Sequence, residues 1–191
     1  MHEDDRHLYY RDLLLLEASL VCGDAIGCVK DYPFVFEVLD DRPIRQSFIK
    51  YPPTETKWVE EYLCGQAELG PLKPVTWADK DPVFVSSVVL VRKGQSGQKF
   101  WLAPNLAEVN SRVTLPAQPI PDCQGMLDRL QGAKLLSTLD VKATFNNIPL
   151  PTSLEKYCGI VTEHSLYVYT VMAWGFNAAP CHYQWVMNRI M

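Results

Sequence analysis

The stretch LLSTLDVKATFNNIPL, residues 135–150, places one acidic residue at the end of an apolar run. Asp140 follows three leucines within five positions and directly precedes Val141. The apolar run predicts a buried strand, where a carboxylate is unfavourable unless a partner compensates for its charge. From the residues alone, the expected explanation is that Asp140 caps a turn or pairs with Lys142 at the strand end.

The composition is that of an ordinary globular protein with an uneven charge. Of the 191 residues, 48% are hydrophobic and 21% are charged, and the net charge is −4. Residues 1–80 carry 15 acidic and nine basic side chains, whereas residues 81–191 carry seven and nine. The second part is better suited to a polyanionic partner, although its excess of positive charge is far smaller than that of a strongly basic nucleic-acid surface.

The cysteines and the N-terminus predict an intracellular protein in the cytoplasm or nucleus. No two cysteines form a C-x-x-C pair, and the four histidines lie far from metal-ligand spacing, so reduced thiols are expected. No signal peptide begins the sequence, and no apolar run approaches the roughly 20 residues of a membrane span. A secreted protein and a membrane partner are therefore not expected. The cysteines are Cys22, Cys28, Cys64, Cys123, Cys158 and Cys181.

The chain divides by its pattern into residues 1–82 and residues 83–191. The first part is an acidic, proline-rich arm with short helices, over residues 8–21 and around Glu55–Leu69, and does not read as an independent domain. In the second part, VFVSSVVLVRK and KFWLA flank a glycine-containing turn and predict a hairpin. Further strands are predicted at LLSTLDV and on both sides of the turn in YCGIVTEHSLYVYTVM.

Two helices complete the second part. Asp122 is a suitable N-cap for a short helix that ends near Gly132, and its side chains Met126, Leu127 and Leu130 are expected to point inward. Pro180 suits the first turn of a final helix over CHYQWVMNRIM. The order of strands, helix, strands and helix predicts an α+β fold with a mainly antiparallel sheet.

Three blocks of residues 83–191, in the same order, resemble the fingers and the first half of the palm of reverse transcriptases from gypsy-type LTR retrotransposons. VVLVRKGQSGQKFWLAPNLAEVNSRV is similar to the fingers hairpin and its D-L-R-x-L-N segment. PIPDCQGMLDRLQGAKLLSTLDVKATFNNIPL is similar to the segment that contains the first palm strand. VMAWGFNAAPCHYQWVMNRI aligns without gaps on V-M-P-F-G-L-x-N-A-P and the residues that follow it. Chance agreement of all three blocks is improbable.

The resemblance implies roles for residues around Asp140. Nucleotidyl transfer in this family uses two divalent metal ions, normally Mg²⁺, which prefer carboxylate and phosphate oxygens. Asp140 holds the place of a metal-binding catalytic aspartate, and Val141 beside it is expected at the substrate. Phe145 occupies the position of an aromatic residue that selects deoxynucleotides by excluding a 2′-hydroxyl, although an aromatic there is also typical of a core.

Four more residues are implied at the substrate. Trp174 stands where the family contacts the incoming base, and Gly175 lets the backbone approach the substrate closely. Trp174 is equally compatible with a core or surface-patch aromatic. Arg92 and Lys93 match basic fingers residues that meet the triphosphate, but basic residues beside a turn are more often simply solvated.

The sequence also departs from the family pattern. Trp101 stands at the position of a triphosphate-binding arginine, which an indole cannot replace. Asn105 and Ala107 stand in place of the Asp and Arg of D-L-R, and Ala178 in place of the Asn of N-A-P. Asp140 is the last aspartate of the sequence, so the Y-x-D-D strand that carries the remaining metal carboxylates would lie downstream of Met191.

These observations predict a fragment of an RNA-directed DNA polymerase that is inactive alone. Its implied partners are an RNA template, a DNA primer and deoxynucleoside triphosphates. Without the remaining palm strands, residues 135–141 and 166–172 are expected to leave an unpaired sheet edge through which the chain associates. The alternatives are a remnant that binds nucleic acid or a partner polymerase without chemistry, and an unrelated α+β domain.

Overall fold

The computed structural model describes residues 27–76, 82–93, 99–114, 122–134 and 140–190. The predicted helix over 8–21 and most of the predicted strand LLSTLDV lie outside these ranges. The strands are β1 (Glu37–Val38), β2 (Ile44–Arg45), β3 (Leu72–Pro74), β4 (Phe84–Lys93), β5 (Lys99–Pro104), β6 (Val113–Thr114), β7 (Gly159–Val161) and β8 (Leu166–Tyr169). The helices are α1 (Pro53–Leu69), α2 (Ala107–Ser111), α3 (Cys123–Arg129), a 3₁₀ helix (Thr144–Asn147), α4 (Thr152–Glu155) and α5 (Ala179–Ile190).

The predicted α+β fold is confirmed. Among the described residues, one six-stranded sheet has the order β2-β4-β7-β8-β3, with β5 also paired to β4. The pairs β4–β5, β7–β8 and β3–β8 are antiparallel, whereas β2 and β7 both run parallel to β4. The β4–β5 pair is the predicted hairpin, and β7–β8 is the predicted second one. Strand β4 is the central scaffold, because its first half and its second half pair with different neighbours.

Residues before position 83 contribute two strands to this sheet. β2 pairs in parallel with Phe84 and Val85, and β3 pairs with Tyr167, Val168 and Tyr169. The expectation of an unpaired edge at residues 166–172 is therefore wrong for β8, which lies between β7 and β3. The outermost strand on this side is β3, which is short and ends in Pro74, a residue that removes a backbone donor and suits an edge.

Two polar side chains of the arm complete the hydrogen bonding of β4 where its neighbouring strands end. Gln46 Oε1 accepts from the backbone N–H of Ser87 at 2.9 Å, and Gln46 Nε2 donates to the carbonyl of Asn105 at 3.3 Å. The Tyr51 hydroxyl donates to the carbonyl of Val88 at 3.0 Å and accepts from the N–H of Leu90 at 2.9 Å. These contacts satisfy backbone groups that would otherwise be left without partners in the sheet.

The Tyr51→Phe substitution should lower the free energy of unfolding by about 1–3 kcal/mol. It removes one hydroxyl and leaves the Val88 carbonyl and the Leu90 N–H without that partner in a partly buried position. Urea denaturation of both proteins measures the difference. Tyr62→Phe is the matched control, since Tyr62 is exposed on α1 and its loss of a hydroxyl should change stability by less than about 0.5 kcal/mol. Equal stability of Tyr51→Phe and the natural chain would contradict the role of this hydroxyl.

Helix α1 confirms the helix predicted around Glu55–Leu69. It begins with Pro53 at its first position, where the missing N–H is not needed, and ends at Gly70, which adopts φ +100°. Val59 and Leu63 are its buried residues. They pack on a cluster formed with residues of β3, β4, β7 and β8, while a second and larger cluster lies beside α5 and the 3₁₀ helix.

Helix α3 confirms the predicted cap but not the predicted packing. The Asp122 carboxylate accepts from the N–H of Gly125 at 2.9 Å, as expected of an N-cap. Met126, Leu127 and Leu130, predicted to point inward, are instead exposed, with Leu127 at 61%. The periodicity identified a common face of the helix, but nothing in the described part of the structure covers that face.

Two further expectations concern thiols and membranes. Cys28, Cys64, Cys158 and Cys181 are free thiols, while Cys22 and the side chain of Cys123 lie outside the described residues. Within the described ranges, every helix is too short or too polar to cross a bilayer.

Candidate functional site

A cleft of about 560 Å³ lies between α1, strand β5, the loop that follows Asp140, and Trp174. The elements that form it come from the arm, the hairpin and the segment before α5, so the sheet brings together residues that are far apart in sequence. Its lining residues are Tyr62, Gln66, Leu69, Phe100, Trp101, Leu102, Ala103, Val141, Lys142, Ala143, Thr144, Asn146 and Trp174.

Asp140 is exposed at the beginning of the loop that borders this cleft. The next residue, Val141, lines the cleft, so the structure places two of the predicted site residues side by side at its rim. Because Asp140 is exposed, its carboxylate does not lose its hydration, which is the cost expected for a charge on a buried strand. Burial, and to a smaller extent the negative charge of Asp140, raises the pKa of Tyr183 in α5, so the phenol and the carboxylate lie close enough to interact electrostatically.

A continuous row of aromatic rings crosses the site. The rings of Trp101 and Trp174 meet edge to face at 5.5 Å, and Phe145 meets Trp174 in the same manner at 4.7 Å. Phe145 also contacts Tyr183, with ring centroids 6.1 Å apart. Phe145 is only partly buried and packs against Trp174, while its sequence neighbours Thr144 and Asn146 line the cleft. Edge-to-face packing of this kind holds each ring in one orientation.

Hydrogen bonds between α2 and the residues that directly follow Trp174 fix the position of Trp174. Asn110 Nδ2 donates to the carbonyl of Gly175 at 2.8 Å, and Asn110 Oδ1 accepts from the N–H of Asn177 at 3.1 Å. Gly175 has φ +100°, and a Cβ added to it would lie 3.2 Å from the carbonyl oxygen of Pro104. The close approach seen at Gly175 is thus to the protein's own backbone, and it seats the Trp174 turn on the end of β5.

The loop after Asp140 is held by short-range hydrogen bonds around one strained residue. Thr144 Oγ1 donates to the carbonyl of Val141 at 2.9 Å, and Asn147 Nδ2 donates to the carbonyl of Lys142 at 3.0 Å. Between them Ala143 has φ +49°, in the left-handed region that a Cβ disfavours. Strain of this kind persists where surrounding contacts determine the backbone, and here it lies in the wall of the cleft.

Ala143→Gly should raise the free energy of unfolding by about 1 kcal/mol, because glycine adopts positive φ without the Cβ penalty. Thermal or urea denaturation measures the change. Ala107→Gly is a matched control at a helical backbone position, where the same chemical change should lower stability instead. A loss of stability in both variants would show that the Ala143 backbone is not strained.

For the two predicted basic residues of β4, the structure describes the backbone but not the side chains. Arg92 and Lys93 lie in β4 opposite Phe100 and Lys99, but their side chains are outside the described part of the structure, so a role at a triphosphate stays a prediction. Of the positions that depart from the family pattern, Trp101 lines the cleft. Exposed Asn105 uses its side-chain oxygen to accept from the N–H of Ala107 at 3.4 Å.

The site lacks a complete metal-binding set in the residues that can be described. Among them, His, Cys, Asp and Glu side chains nowhere form a group of three or more. Asp140 offers one carboxylate, whereas two divalent ions need several hard oxygen ligands. The described residues therefore do not fit a two-metal centre by themselves.

Sequence reasoning missed the contribution of α1. Tyr62, Gln66 and Leu69 line the cleft at spacings of four and three residues, which place them on one side of the helix. That spacing was visible in the sequence, but nothing local indicated that this side of the helix faces β5. Tyr183 was missed for the same reason, since its contact with Phe145 joins segments separated by the β7–β8 hairpin.

Comparisons with known proteins identify a family and relatives for this chain. The profile of the family described as "Reverse transcriptase (RNA-dependent DNA polymerase)" matches residues 88–191. The uncharacterized protein K02A2.6 of Caenorhabditis elegans is 24% identical over 134 residues, which are 70% of this chain and 10% of that protein. The Transposon Tf2-3 polyprotein of Schizosaccharomyces pombe is 26% identical over 83 residues, 44% of this chain and 6% of the polyprotein.

The fold has a counterpart among solved structures. The crystal structure of the prototype foamy virus protease-reverse transcriptase superposes with a TM-score of 0.78 at 18% identity, covering 99% of this chain and 25% of that one. The superposition includes the arm as well as the hairpin. The chain matches only 10% and 6% of the lengths of the two curated relatives. With more than half of its residues matched by the family profile, the chain belongs to the reverse transcriptase (RNA-dependent DNA polymerase) family.

Proposed function

We propose that this chain supplies the fingers and the first half of the palm of a reverse transcriptase from a gypsy-type LTR retrotransposon. The reaction is RNA-templated transfer of deoxynucleotides to a DNA primer. The observation that carries the proposal is the position of Asp140 and Val141 at the rim of a cleft that Trp174 also lines, in a chain of this family. The relatives named as transposon polyproteins support the retrotransposon origin.

In this proposal the residues around the cleft have separate roles. Val141 and Trp174, which line the cleft, touch the incoming nucleotide, and Phe145 supports Trp174 through the edge-to-face contact of their rings. Gly175 sets the position of Trp174 through its tight turn. In this proposal Phe145 restricts the space beside the sugar, and Arg92 and Lys93 on β4 approach the phosphates.

Asp140 acts in this proposal as one ligand of a divalent metal ion, with Mg²⁺ as the family cofactor. Bound metal ions stabilise the attacking and leaving oxygens of an in-line displacement. Asp140 is exposed and next to the cleft, which suits a carboxylate that must reach a hydrated ion. The remaining ligands have to come from outside the described residues, because among these Asp140 belongs to no group of three or more His, Cys, Asp or Glu side chains.

The 191-residue polypeptide alone should give no primer extension on an RNA template with Mg²⁺ or Mn²⁺. One carboxylate cannot hold both ions, and the loss of charge stabilisation at both oxygens removes many powers of ten in rate. Gel analysis of a labelled primer measures this. Adding the second half of the palm and the thumb from a related intact element, joined in frame, should restore a product. Failure of every such chimaera that folds would contradict the proposal, and extension by the 191 residues alone would contradict the assignment of the metal ligands.

A further inference from the structure

Strand β4 changes its neighbours between Ser87 and Leu90. Before this point it pairs with β2 and β7, and from Val88 onward it pairs with β5 as the hairpin. Residues 87–90 and residues 102–105 opposite them form the base of the hairpin. A two-stranded hairpin is only marginally stable by itself, so the direction of this one depends on the contacts that hold its base.

Gln46 holds the base of the hairpin on the edge of β4 that faces β2 and β5. Its backbone N–H donates to the carbonyl of Val85, and its side-chain oxygen accepts from the N–H and the hydroxyl of Ser87 at 2.9 and 3.0 Å. Its side-chain nitrogen donates to the carbonyl of Asn105, directly after β5. Gln46 therefore continues the pairing of β2 and bonds to both strands of the hairpin.

Tyr51 holds the base on the opposite edge of β4. Strand β7 pairs with β4 only as far as Ser87. The next groups on this edge are the Val88 carbonyl and the Leu90 N–H, and both bond to the Tyr51 hydroxyl, at 3.0 and 2.9 Å. One hydroxyl thus takes the place of the strand that would continue β7. Side chains of the arm therefore complete both edges of β4 where the hairpin leaves the sheet.

The base of the hairpin is also where the hairpin meets the turn that carries Trp174. Val88 pairs with Pro104, and the carbonyl oxygen of Pro104 would lie 3.2 Å from a Cβ added to Gly175. Further along β5, Trp101 lines the cleft, and its ring contacts that of Trp174 edge to face. The hydrogen bonds from the arm thus act on the part of the hairpin that sets how these two rings meet.

We infer that Gln46 and Tyr51 are positioning residues, whose hydrogen bonds fix the direction of the hairpin and hold Trp101 against Trp174 in the wall of the cleft. Neither side chain lines the cleft, so both act through the hairpin. An edge-to-face contact depends on the orientation of its rings, so a small change in direction would alter it. The inference rests on the proposed function for the role of the cleft, and it adds the arm residues that determine its shape.

The test is ¹⁹F NMR of the 191-residue chain labelled with 5-fluorotryptophan, without ligand. The resonances of Trp101 and Trp174 are assigned with the variants Trp101→Phe and Trp174→Phe. Tyr51→Phe should shift or broaden both resonances, because the base of the hairpin loses two hydrogen bonds. The resonance of Trp185, which packs against the arm from α5, should stay in place.

Hydrogen exchange measures the local effect in the same proteins. In Tyr51→Phe the protection of the Leu90 amide should fall by about fivefold or more, since this amide donates to the Tyr51 hydroxyl. Tyr32→Phe is the matched control, because it removes a hydroxyl from another tyrosine of the arm, at its contact with α5. It should leave the Trp101 and Trp174 resonances and the protection of Leu90 unchanged.

Gln46→Met is the second variant and tests the other edge of β4. It keeps the length of the side chain and removes its hydrogen bonds to Ser87 and Asn105. The Trp101 resonance should shift in this variant too, since Asn105 directly follows β5. If Tyr51→Phe does not unfold cooperatively, the result for Gln46→Met decides.

Unchanged Trp101 and Trp174 resonances in the folded variants, together with a lower stability, would overturn the inference. They would show that Gln46 and Tyr51 stabilise the sheet without positioning the hairpin. The experiment contains no nucleotide and no primer, so this result would leave the proposed function in place. Conversely, a failure of primer extension by folded chimaeras would contradict the proposed function and leave the positions of the two rings unaffected.

Discussion

Under the proposed function, Asp140→Asn should reduce primer extension by about a thousandfold in a polypeptide that joins these 191 residues to the second half of the palm and the thumb of a related intact element. The amide keeps the size of the carboxylate but not its charge, and an exposed side chain at the start of a loop can change without disturbing the core. The rate is measured in single-turnover extension of a primer by one deoxynucleotide. The unfolding transition should stay within about 0.5 kcal/mol of the parent.

Asp122→Asn is the matched control for this substitution. It makes the same chemical change at another exposed aspartate, where asparagine can accept the Gly125 N–H equally well as an N-cap. Its extension rate should therefore equal that of the parent. Extension that survives Asp140→Asn, or that falls equally in both variants, would remove Asp140 from the proposed metal site.

Gly159→Ala should lower the free energy of unfolding by about 3 kcal/mol or more. A Cβ at this position would lie 2.6 Å from the carbonyl oxygen of Phe84 and within 3 Å of two atoms of the Pro82 ring. Gly159 pairs with Val85 on one side and Val168 on the other, so the backbone cannot move away without breaking one of the two ladders. Urea denaturation followed by circular dichroism measures the loss.

Gly65→Ala makes the same chemical change and is expected to have the opposite effect on stability. Gly65 lies inside α1, and a Cβ added there meets nothing within 4 Å. Alanine in a helix interior is favoured over glycine by about 1 kcal/mol, so this variant should be more stable than the natural chain. A Gly159→Ala protein of unchanged stability would mean that β7 does not approach Phe84 as described.

Local patterns predicted those parts of the fold that depend on neighbouring residues. The β-branched run before Lys93 and the turn after it indicated the hairpin, and the Asp122 cap followed from the preference of aspartate for that position. Of the candidate site, Asp140, Val141 and Trp174 come from matched blocks, and the structure places all three at or beside one cleft, while their roles stay predictions.

The rest depends on contacts between distant residues, which carry no local signal. Nothing in LKP, residues 72–74, shows that it adds to Tyr167–Tyr169 as a strand, because a three-residue segment has no periodicity to recognise. The exposure of Leu127 was wrongly predicted for a similar reason. A helix pattern identifies an apolar face but not whether another element covers it.

The pairing of β3 with β8 also bears on how the molecule reaches this fold. Leu72 leaves the ribosome about a hundred residues before its partner Tyr169, which at about 5–20 residues per second is a delay of about 5–20 s. Throughout that interval β3 has no strand partner. The long intervening loop then has to close, at a cost in conformational entropy, before the contact between β3 and β8 can stabilise the sheet. The edge of this sheet therefore cannot form before Tyr169 has been synthesised, and the segment of β3 has to stay unpaired until then.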